Sequence, residues 1–289
     1  MSKLFMQSKT LSDLSMLEVS GRPEDVAMKI LGLHTNVGES KIGAPRASSL
    51  YGACMRLHAL AAKRTINQKT FLDVGTMLTF GIGKAVHRWI QNSGDILGDN
   101  RWGRWICLAC GEISGFRSAK KARCPKCDAG PGAFEYYEYD LKTGRPYVCS
   151  GHPDMFIRVG EKLRVVEIKT IAATGFKITA YPGIEHQWQL QFYAWASGKD
   201  PILKKLVDPT VGYVLYVSKG ALFSGIPFKM FAVNRDEKII EQIMDKLGSY
   251  DDAITGGTLP QTLENCKLGF EVAAKNNCPA AKYCMEAGD

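Results

Sequence analysis

The sequence predicts an α/β fold, a central mixed β-sheet flanked by helices, with a cysteine-rich loop inserted and more cysteines at the C-terminal end. Three observations carry this. Extended runs lie on either side of Gly160-Glu161-Lys162 and recur at Val211–Val217 and Ile226–Val233. Apolar residues recur at helical spacing in four other stretches, which marks amphipathic helices packed on a sheet. Two Cys-x2-Cys pairs sit thirteen residues apart, from Cys107 to Cys127.

The run Cys149–Thr170 organises the chain. A turn at Gly160-Glu161-Lys162 would lay the strand that Asp154 leads into beside Val165-Val166-Glu167-Ile168-Lys169. Alternate residues of a strand share a face, so Glu167 and Lys169 point together, away from Val166 and Ile168. Two carboxylates and a lysine then meet at one edge or fork. Such a group suits a hard divalent ion and phosphodiester hydrolysis; it also matches an ordinary solvated strand face.

Elsewhere each element has its own signal. Ser48 or Ser49 can cap a helix through Leu50, Tyr51, Cys54, Leu57, Leu60 and Ala61, and a second helix is expected from Phe71 to about Ile90, with Leu78, Ile82, Val86 and Ile90 in line. His87 lies on that helix beside Lys84, as a surface imidazole or as a metal or phosphate ligand. A third helix spans Ile184–Ala196 and places Gln189 and Tyr193 one turn apart, at a hydrogen-bonded core edge or against a phosphate or metal-held water. Asp236 starts a fourth, through Ile239, Ile240, Ile243 and Leu247. Residues 1–45 read as an arm, with short helices at Leu11–Leu17 and Pro23–Leu31 and a linker from Gly38 to Pro45.

The chain has 289 residues and a formal charge of +8, which suits a polyanionic partner without establishing one. Its first twenty residues lack a signal-peptide pattern and no apolar run reaches membrane-spanning length, so a cytoplasmic protein without a membrane partner is expected. Nine cysteines in clusters favour metal ligation over disulfides in that setting. Cys107, Cys110, Cys124 and Cys127 can close a tetrahedral zinc site, with a rubredoxin-like iron site as the alternative. Arg117, Lys120, Lys121 and Arg123 between the pairs form a basic loop, solvated or in contact with a nucleic-acid backbone. Cys54, Cys266, Cys278 and Cys284 make a dispersed four, incidental or enough for a cubane iron–sulfur cluster. Cys149 reads as a buried core residue.

In this order the motifs resemble those of the PD-(D/E)XK nuclease superfamily, in particular its RecB-like branch of CRISPR-associated and phage-encoded iron–sulfur exonucleases. The residues that carry the resemblance are Cys54 after Ser48-Ser-Leu-Tyr-Gly-Ala, His87, Gly151-His-Pro-Asp154, Glu167-Ile-Lys169, Gln189-x3-Tyr193 and the three C-terminal cysteines. The resemblance implies a restriction-endonuclease-like core. It divides the chain into an arm (1–45), the helical start of the nuclease core (46–102), an inserted zinc ribbon (103–130), the rest of the core (131–258) and a cysteine-rich clasp (259–289).

It further implies that His87, Asp154, Glu167 and the Ile168 carbonyl bind one or two Mg2+ or Mn2+ ions, that Lys169 acts on the attacking water and the phosphate, and that Gln189 and Tyr193 position the strand or support the metal. The family's Cys-x2-Cys-x5-Cys tail fits only at Cys278-x5-Cys284, because eleven residues separate Cys266 from Cys278; zinc is the alternative occupant there. The activity expected is a DNA exonuclease preferring single strands or free ends, in the bacterial or, for a phage-borne protein, host cytoplasm. A structure-specific or restriction-like endonuclease, an RNA substrate and a non-catalytic zinc-ribbon DNA-binding protein are the rivals. No G-x4-G-K-[ST] loop is present, so any unwinding falls to a helicase, recombinase or CRISPR-adaptation partner.

Overall fold

The computed structural model describes residues 36–72, 74–93, 100–119, 123–220, 225–263, 266 and 278–287. The expected helices at Leu11–Leu17 and Pro23–Leu31 lie outside them. β1 (Asn36–Lys41) and β2 (Asn67–Leu72) form an antiparallel ribbon. Between them come a 3-10 turn at Ala47–Ser49 and α1 (Met55–Lys63). After α2 (Val74–Asn92) the chain enters the main sheet with β3 (Arg101–Cys107), β4 (Arg117–Ser118) and β5 (Phe134–Tyr137). A small ribbon, β6 (Leu141–Thr143) with β7 (Cys149–Gly151), leads to β8 (Met155–Val159) and β9 (Lys162–Ile171). Then follow α3 (Ala173–Ile178), α4 (Ile184–Ser197), β10 (Val211–Ser218), β11 (Phe228–Asn234), α5 (Glu237–Ile254) and α6 (Ala281–Glu286).

The seven-stranded sheet runs β11-β10-β9-β8-β3-β4, with β5 also paired to β3. It is mixed, as expected: β9 and β10 are parallel and the other pairs antiparallel. A parallel pair needs a crossover, which α3 and α4 supply. The turn between β8 and β9 falls at Gly160, whose φ of +64° suits a residue without a Cβ. Along β9 the two faces separate. Leu163 and Val165 join the core under α4, with Leu190, Phe192, Val214 and Ile243. Val166 and Ile168 pack on the opposite face with Met155, Leu215 and Ile90 of α2. Burying such side chains contributes roughly 1.5–3 kcal/mol each, so β9 is held firmly from both sides. Cys149 is buried, as expected.

Three local expectations are corrected. The helix expected from Ser48 or Ser49 begins only at Met55, and its N-cap is Cys54, whose thiol accepts from Leu57 N. Ser49 instead turns its hydroxyl back to the Arg46 carbonyl; Gly52 inside the stretch costs a helix about 1 kcal/mol. Phe71 lies in β2 rather than α2, and the expected linker Gly38–Pro45 starts inside β1, because the two segments pair with one another. The line Leu78, Ile82, Val86, Ile90 meets the sheet only at its C-terminal end, and Leu78 and Ile82 are each 47% exposed.

His58 on α1 gives the fold a pH dependence. Its ring Nδ1 is 2.7 Å from the Gly43 carbonyl. Partial burial lowers its pKa, against the pull of that carbonyl. The unfolded chain therefore binds the proton first, and the stability this residue contributes is full above its ordinary pKa of about 6.5 and lost as pH falls through the lowered folded value. Thermal unfolding between pH 7.5 and pH 5.5 (about one unit either side of that pKa) should show a falling midpoint, and His58→Gln should flatten the slope. An identical slope in the variant would remove His58 from the account.

Candidate active site

The ladder between β8 and β9 ends in a side chain. Its pairing starts at Met155 opposite Val166, and one residue earlier the Asp154 carboxylate takes over, with Oδ2 accepting from Ile168 N at 2.6 Å. An antiparallel hydrogen-bonded residue directs its N–H and C=O to the same side, so the Ile168 carbonyl leaves β9 toward this fork. Asp154 and Glu167 are 7% and 1% exposed.

From Glu167 a polar chain runs across the face under α4. Lys169 Nζ lies 2.6 Å from Glu167 Oε1 and donates to Gln189 Oε1 at 3.0 Å. Gln189 Nε2 donates to the Tyr193 hydroxyl, which donates to the His152 carbonyl. Gln189 and Tyr193 thus form one hydrogen-bonded line anchored to the Gly151–Asp154 segment. Gly151 is required for that approach, since a Cβ there would lie 2.6 Å from the Tyr193 ring and 2.7 Å from Ala47 Cβ.

From the other side α2 brings His87, whose Nδ1 is 3.3 Å from Asp154 Oδ1. Gln91, one turn on, donates to the Asp154 main-chain oxygen (2.8 Å) and to Glu138 Oε1 (3.1 Å). A cleft of about 490 Å³ opens here, lined among others by Lys84, His87, Gln91, Glu138, Lys169 and Lys219. Sequence reasoning placed Gln91 on the helix face of Lys84 and His87 without giving it a role, and missed Glu138. Glu138 immediately follows β5, in an aromatic run that reads as sheet, and only the pairing of β5 with β3 carries it to the fork. It also missed His186, whose Nδ1 is 2.6 Å from the Tyr216 hydroxyl and whose pKa is lowered by burial and by the Lys169 charge.

The electrostatics are those of crowded acids. Burial, then the Asp154 charge, pushes Glu167 well above the ordinary carboxylate range, with Lys169 opposing. Burial and Asp154 likewise raise Glu138. For Lys169 burial acts downward, but the Glu167 carboxylate outweighs it and the ammonium is held protonated. Glu167 Oε2 is buried without a hydrogen-bond partner. An orphaned carboxylate oxygen beside a second acid is costly, and an oxygen-seeking cation would satisfy it; His87, Asp154, Glu167 and the Ile168 carbonyl are the groups that could hold one, although among the described residues the three side chains do not reach the close spacing of the cysteine loop.

No family model and no curated protein matches the chain. Among solved structures it is similar to one described as "Crystal structure of SSO0001", at 16% identity and a TM-score of 0.35, covering 90% of this chain and 98% of that one. A likeness of that size carries neither fold nor function.

Away from the fork, Cys107, Cys110, Cys124 and Cys127 form a four-cysteine group able to hold a metal, with all four sulfurs within 4.8 Å of one another. Cys107 is the last residue of β3, so the loop is rooted in the main sheet. Against the effect of burial, the N–H groups of Cys127 and Lys126 lower the Cys124 thiol to about 7. The basic loop is less open than its sequence suggests. Arg117 donates to the Arg123 carbonyl, and Arg123 pairs with Asp128. Lys120 and Lys121 lie outside the described residues.

Cys54, Cys266, Cys278 and Cys284 are brought into one neighbourhood. Burial and then Leu57 N act first on Cys54, and after them the charges of the other three. Among the described residues they do not reach the close spacing of the loop group. Arg56, which the sequence pattern places on the polar side of its helix with Lys63 and Arg64, is 2% exposed. Its guanidinium donates to Cys284 Sγ (3.1 Å), to the Cys284 carbonyl and to the Pro260 carbonyl, tying the C-terminal segment to α1.

Two outcomes are expected. Gly151→Ala should displace Tyr193 and destabilise the fold by about 1–3 kcal/mol; denaturant unfolding measures it, and an unchanged midpoint would contradict the close approach. Cys110→Ser should lower the metal retained per chain and expose the loop between β3 and β5 to limited proteolysis, leaving the rest of the sheet protected. Equal metal content in variant and wild type would exclude Cys110 as a ligand.

Proposed function

We propose that the chain is a metal-dependent DNA exonuclease that hydrolyses phosphodiester bonds. The observation that carries this is the meeting of His87 with Asp154 and of Lys169 with Glu167 at one strand fork, with His87 and Lys169 lining the cleft and Glu167 Oε2 buried and unpaired. A Mg2+ or Mn2+ ion held by His87, Asp154, Glu167 and the Ile168 carbonyl would polarise a phosphoryl oxygen and acidify a water. The chain's own groups do the rest. Lys169, kept protonated by Glu167, is suited to offset charge on the phosphate rather than to accept a proton. Gln189 and Tyr193 fix the direction of that ammonium, and Lys84 and Lys219 line the cleft where a phosphate backbone would approach. The preference for single strands or free ends rests on the resemblance of the motif set to RecB-like iron–sulfur exonucleases.

The two cysteine groups receive different metals in this reading. Zinc–sulfur bonds of about 2.3 Å place the sulfurs of a tetrahedral site roughly 3.8 Å apart. The pairs Cys107–Cys127 and Cys110–Cys124, at 3.6 and 3.5 Å, support zinc. The wider Cys54, Cys266, Cys278, Cys284 set, with N–H donors from Leu57 and Arg56 on its sulfurs, supports a [4Fe-4S] cluster.

End-labelled linear and covalently closed circular single-stranded DNA, given to anaerobically purified protein with Mn2+, test the activity. Loss of label from the linear substrate alone is expected, falling at least about 100-fold in Asp154→Asn, which keeps an acceptor for Ile168 N. Cutting of the circle would reassign the enzyme as an endonuclease. Absence of metal-dependent cleavage of either substrate would sink the proposal.

A further inference from the structure

We propose that the pocket between the β6–β7 turn and the C-terminal end of α4 is a nucleotide subsite for single-stranded DNA. In it Tyr147 and Trp195 stack on a base, and Arg145 and Lys199 meet the flanking phosphates. This deepens the reading above and rests on it. The turn is built firmly. Thr143 donates its hydroxyl to the Tyr147 carbonyl and accepts from Cys149 N, and Tyr147 N donates to the Gly144 carbonyl at 3.0 Å. Arg145 ties the turn to α5 through one bond, from Nε to Asp251 Oδ1 at 2.8 Å. Both of its Nη groups keep their donors for another acceptor, and the side chain is 56% exposed. From α4, Trp195 meets Tyr147 edge to face, with ring centroids 5.7 Å apart and planes at 85°. The two half-buried rings form one corner of a pocket of about 510 Å³, a volume suited to a small organic group.

The polar lining favours an anionic ligand. Lys142, Arg145 and Lys199 contribute three cations, against one acid, Asp200. Both oxygens of Asp200 are already committed, Oδ2 to the Tyr139 hydroxyl and Oδ1 to the N–H groups of Ile202 and Leu203. Lys142 is neutralised by Asp140. Lys199 makes no ion pair among the described residues and lies 6.0 Å from the centre of the Trp195 ring. An aromatic corner with cations at its rim is the chemistry that holds single strands: every base has a face to stack, and the backbone brings a phosphate beside it. Bases inside a duplex are already stacked and paired, so the corner discriminates against them. The pocket is also within reach of the cleft. Gln189 and Trp195 belong to one helix and lie about 9 Å apart along its axis. A second link runs from Tyr193 to the His152 carbonyl, from His152 to Asp140 at 3.5 Å, and from Asp140 to Lys142 at the pocket's edge. A strand whose end is in the cleft can therefore lay a neighbouring base on the corner.

Fluorescence anisotropy with labelled oligo-dT and with a DNA duplex, in the absence of added Mn2+, separates this subsite from catalysis. Tyr147→Leu should weaken oligo-dT binding at least about fivefold and leave duplex binding unchanged. Lys199→Gln should reduce the salt dependence of oligo-dT binding by about 0.7 in the log–log slope. Equal losses on both DNAs, or none on either, would overturn the inference. Tyr147 also packs against the core, so a measurement on the wild type decides independently of that variant's folding. An oligo-dT carrying one iododeoxyuridine is irradiated with the protein, and the attached residue is read by mass spectrometry. Attachment at Tyr147 or Trp195 is expected, and attachment only elsewhere would remove the subsite. Mn2+-dependent cleavage with oligo-dT binding unaltered in both variants would remove the subsite and leave the nuclease reading intact. Attachment at the corner without any cleavage would do the reverse.

Discussion

The structure depends on one hydrogen bond, from Ile168 N to the Asp154 carboxylate. Two adjacent strands normally exchange backbone groups along their whole length. Here β8 stops one residue short and a carboxylate completes the ladder, so the strands fork with an acid at the branch. The fork has a rigid floor because β9 is packed on both faces, by Leu163 and Val165 on one side and Val166 and Ile168 on the other. It also places charge where an apolar strand would otherwise continue, since the buried Glu167 and the partly buried Lys169 lie in the same strand. The groups of the candidate site are thus placed by a strand whose central residues are buried.

Such placement has an electrostatic consequence. Three acids near one another in a poorly solvated site favour protonation, and burial raises both Glu138 and Glu167. One ammonium, that of Lys169, works against this by holding its own proton. Positive charge added between the acids would lower the raised pKa values of Glu138 and Glu167 together. The divalent ion proposed for the site would meet that demand of charge balance. Gln91, Gln189 and Tyr193 keep the geometry fixed while that charge changes, since none of the three is ionised near neutral pH.

The periphery follows a different logic. The four-cysteine loop, between β3 and β5, has little apolar material of its own and is organised by sulfur, whereas the C-terminal segment is held by a buried arginine. Arg56 spends its donors on Cys284 and Pro260 rather than on solvent. Residues more than 200 positions apart are thereby joined at α1, which ties the described C-terminal residues to the body of the protein. The thiol of Cys54 has a share in this, as it caps the helix that carries Arg56.

The sequence by itself determined the α/β class, the β8–β9 hairpin, the shared face of Glu167 and Lys169, the Gln189–Tyr193 pair and the close four-cysteine group. Each depends on spacings within about twenty residues, where strand and helix periods and turn residues act directly. Tertiary structure decided what spacing cannot encode. Pairing of β1 with β2 took Phe71 out of a helix, and the thiol of Cys54 moved a helix start by several residues. The packing of α2 left Leu78 and Ile82 in solvent while delivering His87 and Gln91 to the fork. Glu138 and Arg56 had no local signal, because their partners, Gln91 and Asp154 for one and Cys284 and Pro260 for the other, come from elements that meet only when the sheet and the C-terminal segment close.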